Sequence, residues 1–228
     1  MSDAGDGPGL EPGTDAVSQL DRVKQEYTAA AREILRRSMQ GVARTKLTPD
    51  MLSIAGLALC VAGAVLVGFE QRNEYLFFWL GGVLFVAGSI ADILDGALAR
   101  AAGKGTVFGA FLDSTFDRLG EAAMLTAIGL VFMRDGNEVA LVATFLAVIG
   151  SMLVSYTRAK AEMLGLRGDV GFGSRLERVV IVSVGLGLAP WGWLQWPIYL
   201  LALMAWVTVV QRMLFVRRQL RELAAQAS

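Results

Sequence analysis

The chain has 228 residues, 54% of them hydrophobic, and a formal net charge of zero. That charge balance gives no global pull toward nucleic acid, and the apolar fraction exceeds that of an ordinary soluble domain. Histidine is absent and Cys60 is the one cysteine, which excludes imidazole acid–base chemistry, histidine or thiolate metal clusters and disulfides within the chain. Any catalysis therefore rests on carboxylates, Lys, Arg or hydroxyls. Cys60 lies in an apolar run and reads as a small packed residue.

Residues 1–16 are rich in Gly, Asp and Pro. They lack the basic start and apolar stretch of a signal peptide and are expected to be a disordered tail. Over 17–47, Leu20, Val23, Tyr27, Ala31, Ile34, Leu35 and Met39 recur at helical spacing, while Arg22, Lys24, Arg32, Arg36 and Arg37 occupy the other face. This pattern predicts an amphipathic juxtamembrane helix lying on a membrane surface.

Six apolar runs follow, and a bilayer span needs about 20 such residues. They predict transmembrane helices over Met51–Phe69, Glu74–Arg100, Val107–Met133, Glu138–Glu162, Glu177–Ala189 and Trp193–Val216, the fifth being short. Gly103, Gly105, Gly136, Pro190 and Pro197 punctuate the turns, and Trp191, Trp193 and Trp196 cluster at one boundary as interfacial aromatics do. The fold class is thus an all-α integral membrane protein, with residues 48–220 as one six-helix domain and no internal repeat. Arg44, Lys46, Lys104, Arg167, Arg175, Arg217, Arg218 and Arg221 fall on one side, against Arg72 and Arg134 on the other. The positive-inside rule then places both termini in the cytoplasm, for a multi-pass protein of the inner (cytoplasmic) membrane.

The stretch 92–117 reads DILDGALARAAGKGTVFGAFLDSTFD. Asp92 and Asp95 share a helix face, as do Asp113 and Asp117. A turn at Gly103, Lys104 and Gly105 makes the two helices antiparallel neighbours, so the four carboxylates converge near their cytoplasmic ends. A carboxylate deep in a span costs roughly 3 kcal/mol, so four cost on the order of 10 kcal/mol. That is comparable to the stability of a whole domain. Arg100, Lys104 and Arg118 are too few and too scattered to offset it. An all-oxygen donor set without histidine suits a hard divalent ion, Mg²⁺ or Mn²⁺. The plainer account, interfacial acids facing water, fits any one of these residues but not four at this spacing. Gly96 and Gly109 permit close approach of a substrate or of another helix, and nothing local separates the two. An ion-coupled transporter also places acids in its spans, but typically near the midplane and with repeats. Here the acids sit near one end.

The run resembles the signature of the CDP-alcohol phosphotransferase family, D-x2-D-G-x2-A-R-x8-G-x3-D-x3-D. Asp92, Asp95, Gly96, Ala99, Arg100, Gly109, Asp113 and Asp117 fill its fixed positions. The resemblance extends to the six-span layout and to Leu47-Thr48-Pro49-Asp50 before the first span, but not to the first forty or so residues. It implies transfer of the phosphatidyl group from CDP-diacylglycerol to an alcohol hydroxyl, with release of CMP. It also implies two Mg²⁺ or Mn²⁺ ions with Asp92, Asp95 and Asp113 as ligands and Asp117 as a shared ligand or the base. Asp92, Gly96, Ala99, Arg100 and Gly109 would line the nucleotide site, and the enzyme would be a homodimer in the lipid bilayer. With no histidine the base is best sought among carboxylates, and Asp117 is the choice.

The segment Ser155–Arg178 reads SYTRAKAEMLGLRGDVGFGSRLER. Arg158, Lys160, Arg175 and Arg178 are candidates for binding an acceptor phosphate, although the positive-inside rule would place basic residues there anyway. The segment resembles the corresponding part of the bacterial phosphatidylinositol phosphate synthases at Ser155, Tyr156, Ala161, Glu162, 165–169, Gly171, Phe172, Arg175, Glu177 and Arg178. It departs where Ser174 and Leu176 stand in place of a Glu and a Pro. This implies inositol phosphate as acceptor and phosphatidylinositol phosphate as product. Glycerol 3-phosphate, the acceptor of a phosphatidylglycerophosphate synthase, is the alternative.

Overall fold

The computed structural model describes residues 48–103, 105–171 and 173–226. The expected tail and juxtamembrane helix (1–47), Lys104 and Phe172 lie outside the described residues, as does the side chain of Arg100.

The described residues form six α-helices: α1 (Pro49–Val67), α2 (Glu74–Ala102), α3 (Val107–Arg134), α4 (Glu138–Met163), α5 (Arg175–Leu188) and α6 (Gln195–Gln226). Local chemistry sets their starts. The side chains of Thr48, Asn73, Thr106 and Asn137 accept hydrogen bonds from the backbone N–H groups of Met51, Leu76, Gly109 and Ala140, relieving amides that the helices leave without partners. Pro49 supplies the fixed φ suited to a first helical position. Gly103 ends α2 in the left-handed region at φ 61°, where a side chain would be strained.

Four of these helices, α1, α2, α4 and α6, are long and apolar enough to cross a membrane. The other two expected spans differ for identifiable reasons. Helix α3 carries Asp113, Asp117, Arg118 and Glu121. Helix α5 has 14 residues, about 21 Å at 1.5 Å per residue, shorter than the roughly 30 Å hydrocarbon layer. Helix α6 runs ten residues past the expected end at Val216, because charged residues end an apolar run without ending a helix.

The main contacts run from α1 to α2, α2 to α5, α5 to α6, α6 to α4, α4 to α3 and α3 back to α1, a closed ring. Helices α2 and α3 follow each other in sequence, yet each touches α1 more than they touch one another. The core joins Cys60, Val67, Phe85, Met124, Leu125, Ile128, Val182, Leu186, Ile198 and Leu201. Around it Trp79, Leu80, Val83, Ile90, Leu203 and Val210 are exposed, an apolar outer face suited to lipid. Lipid offers little hydrophobic reward for bringing apolar helices together, so close packing has to hold them.

Helices α1 and α2 show how close that packing is. A Cβ added at Gly88 would lie 2.5 Å from the Gly56 carbonyl oxygen and 2.6 Å from Cys60 Sγ, and one at Gly63 would lie 2.7 Å from the Gly81 oxygen. Overfilling a packed site typically costs about 1–3 kcal/mol. Gly88→Ala is therefore expected to lower the thermal midpoint in detergent. Gly187→Ala, with no atom within 4 Å of the added methyl, should leave it unchanged. Equal midpoints for the two variants would show that α1 and α2 can separate freely.

Candidate active site

One end of the ring gathers the ionisable residues. They come from the start of α1 (Asp50, with the Ser53 hydroxyl nearby), the second half of α2 (Asp92, Asp95), α3 up to its middle (Asp113, Asp117, Arg118, Glu121), the end of α4 (Arg158), the start of α5 (Arg175, Arg178) and the second half of α6 (Arg212). The opposite end holds a separate pair: Arg134 lies 2.9 Å from the buried Glu70 carboxylate and also donates to the Gly68 carbonyl.

Asp92, Asp95 and Asp113 each offer a carboxylate oxygen within 4.8 Å of the other two. Asp92 and Asp95 are buried, at 7% and 2% exposure. The one-turn spacing on α2 aims both inward, and Ser53 of α1 donates its hydroxyl hydrogen to Asp95. Three converging carboxylates with no nitrogen or sulfur donor match the preference of a hard divalent cation. All four aspartates therefore converge at this end, Asp92, Asp95 and Asp113 as a mutual group and Asp117 beside Asp92 through their shared contact with Arg175. Asp117 lies outside that group. Its Oδ1 is 2.6 Å from Arg175 Nη1, an ion-pair contact without hydrogen-bond geometry, and Arg175 also pairs with Asp92. This amends the charge argument made from the sequence. A cation does stand among the aspartates, delivered by α5 rather than by the residues near them in the chain.

Two cavities open on the cluster. One, of about 220 Å³, is lined by Asp50, Ser53, Asp95, Gly96, Ala99, Gly105, Gly109 and Asp113. Small residues form its wall, and a Cβ on Gly109 would come within 3.2 Å of Asp50 Oδ1, so the glycine keeps this cavity open. The second, of about 180 Å³, is lined by Asp113, Asp117, Arg118, Ser155, Arg158, Ser174, Arg175, Arg178 and Arg212. Asp113 borders both.

The basic candidates divide. Arg158 and Arg175 line the second cavity, Arg158 while paired with Glu162 at 2.8 Å. Arg178 also borders it, but its guanidinium grips Glu121 in a two-pronged pair at 2.8 and 2.9 Å. Lys160 lines another groove, between α4 and the end of α6 with Arg217 and Arg221, so the structure does not bring it to the aspartates. In the loop before α5, the hydrogen bond from Arg167 holds the exposed Asp169 carboxyl below its ordinary range.

Residues that the sequence reading passed over are Ser53, Glu121 and Arg212. Arg212 is buried and donates from Nε to the Val170 carbonyl at 3.0 Å and from Nη1 to that of Val154. Glu121 and Arg212 carried a usable signal, an ionisable side chain inside an apolar span. Ser53 carried none.

The family model for CDP-alcohol phosphatidyltransferase matches residues 46–214, and the chain belongs to that family. Within it, the chain is 39% identical over 197 residues to the phosphatidylinositol phosphate synthase of Mycolicibacterium smegmatis, covering 83% of this chain and 86% of that one. The crystal structure of Mycobacterium tuberculosis phosphatidylinositol phosphate synthase with CDP-DAG bound superposes with a TM-score of 0.72 at 34% identity, covering 81% of this chain and 94% of that one. The same enzyme in complex with manganese and citrate gives 0.71 at 34% identity, covering 80% and 88%.

Proposed function

We propose that this chain transfers the phosphatidyl group of CDP-diacylglycerol to a hydroxyl of inositol phosphate, giving phosphatidylinositol phosphate and CMP. The observation that carries the reading is the position of Asp113, between a small-residue cavity and an arginine-lined one. A transfer between two substrates needs two sites that meet at the reacting phosphorus, and a phosphorylated acceptor calls for arginine. The relatives' names support the acceptor.

In this reading the donor's cytidine end lies against Gly96, Ala99 and Gly109, and the pyrophosphate against Asp92, Asp95 and Asp113, with Arg100 as the nucleotide contact that the family resemblance implies. Mg²⁺ or Mn²⁺ held by these three aspartates, in the pair of ions that the family resemblance implies, would neutralise charge on the pyrophosphate and on departing CMP. Arg158 and Arg175 hold the acceptor phosphate and place its hydroxyl beside Asp117. Asp117 accepts the hydroxyl proton as the new O–P bond forms. The P–O bond to CMP then breaks, with its electron pair going to the CMP phosphate. All six helices lie in the membrane, α3 and α5 completing the ring begun by the four apolar ones, with the site on the cytoplasmic side.

The test is CMP release by purified protein from CDP-diacylglycerol, offered inositol phosphate, inositol, glycerol 3-phosphate or serine. Turnover is expected with inositol phosphate, none in thorough chelation, and recovery on adding Mn²⁺ or Mg²⁺. Turnover with glycerol 3-phosphate alone would reassign the acceptor, and full activity in chelator would remove the metal from the reaction.

A further inference from the structure

Arg178 was expected to contact the acceptor phosphate, but its bonds point elsewhere. Glu121, one helical turn beyond Asp117 on α3, is 8% exposed and Arg178 is 4% exposed. Their two-pronged pair uses Arg178 Nε and Nη2. Its Nη1 donates to the Gly173 carbonyl at 2.7 Å. From the other side, Glu177 Oε2 accepts the Gly173 and Ser174 amides at 2.6 and 2.8 Å. Gly173 has φ 115°, a conformation that glycine reaches freely and a side chain would resist, so the turn needs outside contacts to fix it in this one shape. Arg175 follows directly and reaches Asp92 and Asp117.

We propose that Glu121, acting through Arg178, and Glu177 are positioning residues that hold the Gly173–Ser174 peptide and thereby aim Arg175 into the acceptor cavity. Neither touches the reacting atoms. Charge-assisted hydrogen bonds on both sides of one peptide are strong enough to fix a flexible glycine turn in one orientation while Arg175 reaches toward the aspartates. The inference rests on the arginine-lined cavity being the acceptor site.

The two accounts of Arg178 predict opposite signs. If Arg178 itself binds acceptor phosphate, Glu121→Gln frees it and acceptor KM stays level or falls. If Glu121 positions the loop, acceptor KM rises about tenfold, while CDP-diacylglycerol KM and kcat at saturating acceptor stay within about threefold. Glu177→Gln, at an exposed position that folding tolerates, leaves the Arg178 pair intact and should give the same acceptor-selective rise. It decides the matter even where Glu121→Gln does not fold. A level or lower acceptor KM in the folded variants overturns the proposal, as does an equal loss for both substrates. A second readout does not depend on turnover. Inorganic phosphate should raise the melting temperature of the unaltered protein, and the variants should need about ten times more phosphate for the same rise. No CMP release by the unaltered protein with any acceptor would sink the assigned reaction, whereas equal phosphate protection would sink this inference.

Discussion

Asp113→Asn is expected to bring CMP release near background, a loss of at least about 10³-fold, the size of several kcal/mol of lost charge stabilisation. Two observations make this the most damaging single change. Asp113 is one of three carboxylates with oxygens within 4.8 Å of each other, and it alone of the three borders both cavities. Asn preserves its size and removes its charge. The loss should therefore appear in turnover and in weaker Mn²⁺ binding by titration calorimetry, with little change in the thermal midpoint. Turnover within tenfold of the unaltered protein would show that the cluster is not where the donor is activated.

Much of this site was legible because its signals are local. The one-turn spacings of Asp92 with Asp95 and of Asp113 with Asp117 follow from helix geometry alone. The turn at Gly103 fixes which ends of α2 and α3 meet. The caps at Thr48, Asn73, Thr106 and Asn137 lie at starts that the apolar periodicity had placed within two residues. What stayed hidden depends on packing between distant segments. Spacing cannot say that Arg175 reaches Asp92 and Asp117, or that the Arg178 guanidinium, at the edge of the cavity, is taken up by Glu121. Spacing could have separated Lys160 from Arg158, since residues two apart on a helix do not share a face, but not named the groove between α4 and α6 that Lys160 lines. Helix order around the ring is hidden for the same reason. Local turns suggest that α2 and α3 are neighbours, while the glycine pairs Gly56–Gly88 and Gly63–Gly81 draw α1 against α2 more tightly.

Asp117→Asn is expected to lower turnover about 10²- to 10⁴-fold, the usual cost of losing a general base, with the apparent affinity for CDP-diacylglycerol kept. Asp117 borders the arginine-lined cavity but stands outside the three-carboxylate group. Its Oδ1 contacts Arg175 at 2.6 Å without hydrogen-bond geometry. Arg175, proposed to hold the acceptor phosphate, lines the same cavity, so the Asp117 carboxylate stands where the acceptor hydroxyl would be placed. Asparagine retains the shape but cannot take a proton. The family resemblance also allows Asp117 to be a shared metal ligand, and the two roles separate in one titration. A lost ligand weakens ion binding, so turnover of Asp117→Asn would climb back as Mn²⁺ is raised. A lost base leaves turnover reduced by the same factor relative to the unaltered protein at every Mn²⁺ concentration, which is the expected result. Near-normal turnover would remove Asp117 from the chemistry altogether and leave Arg175 paired to it for structural reasons alone.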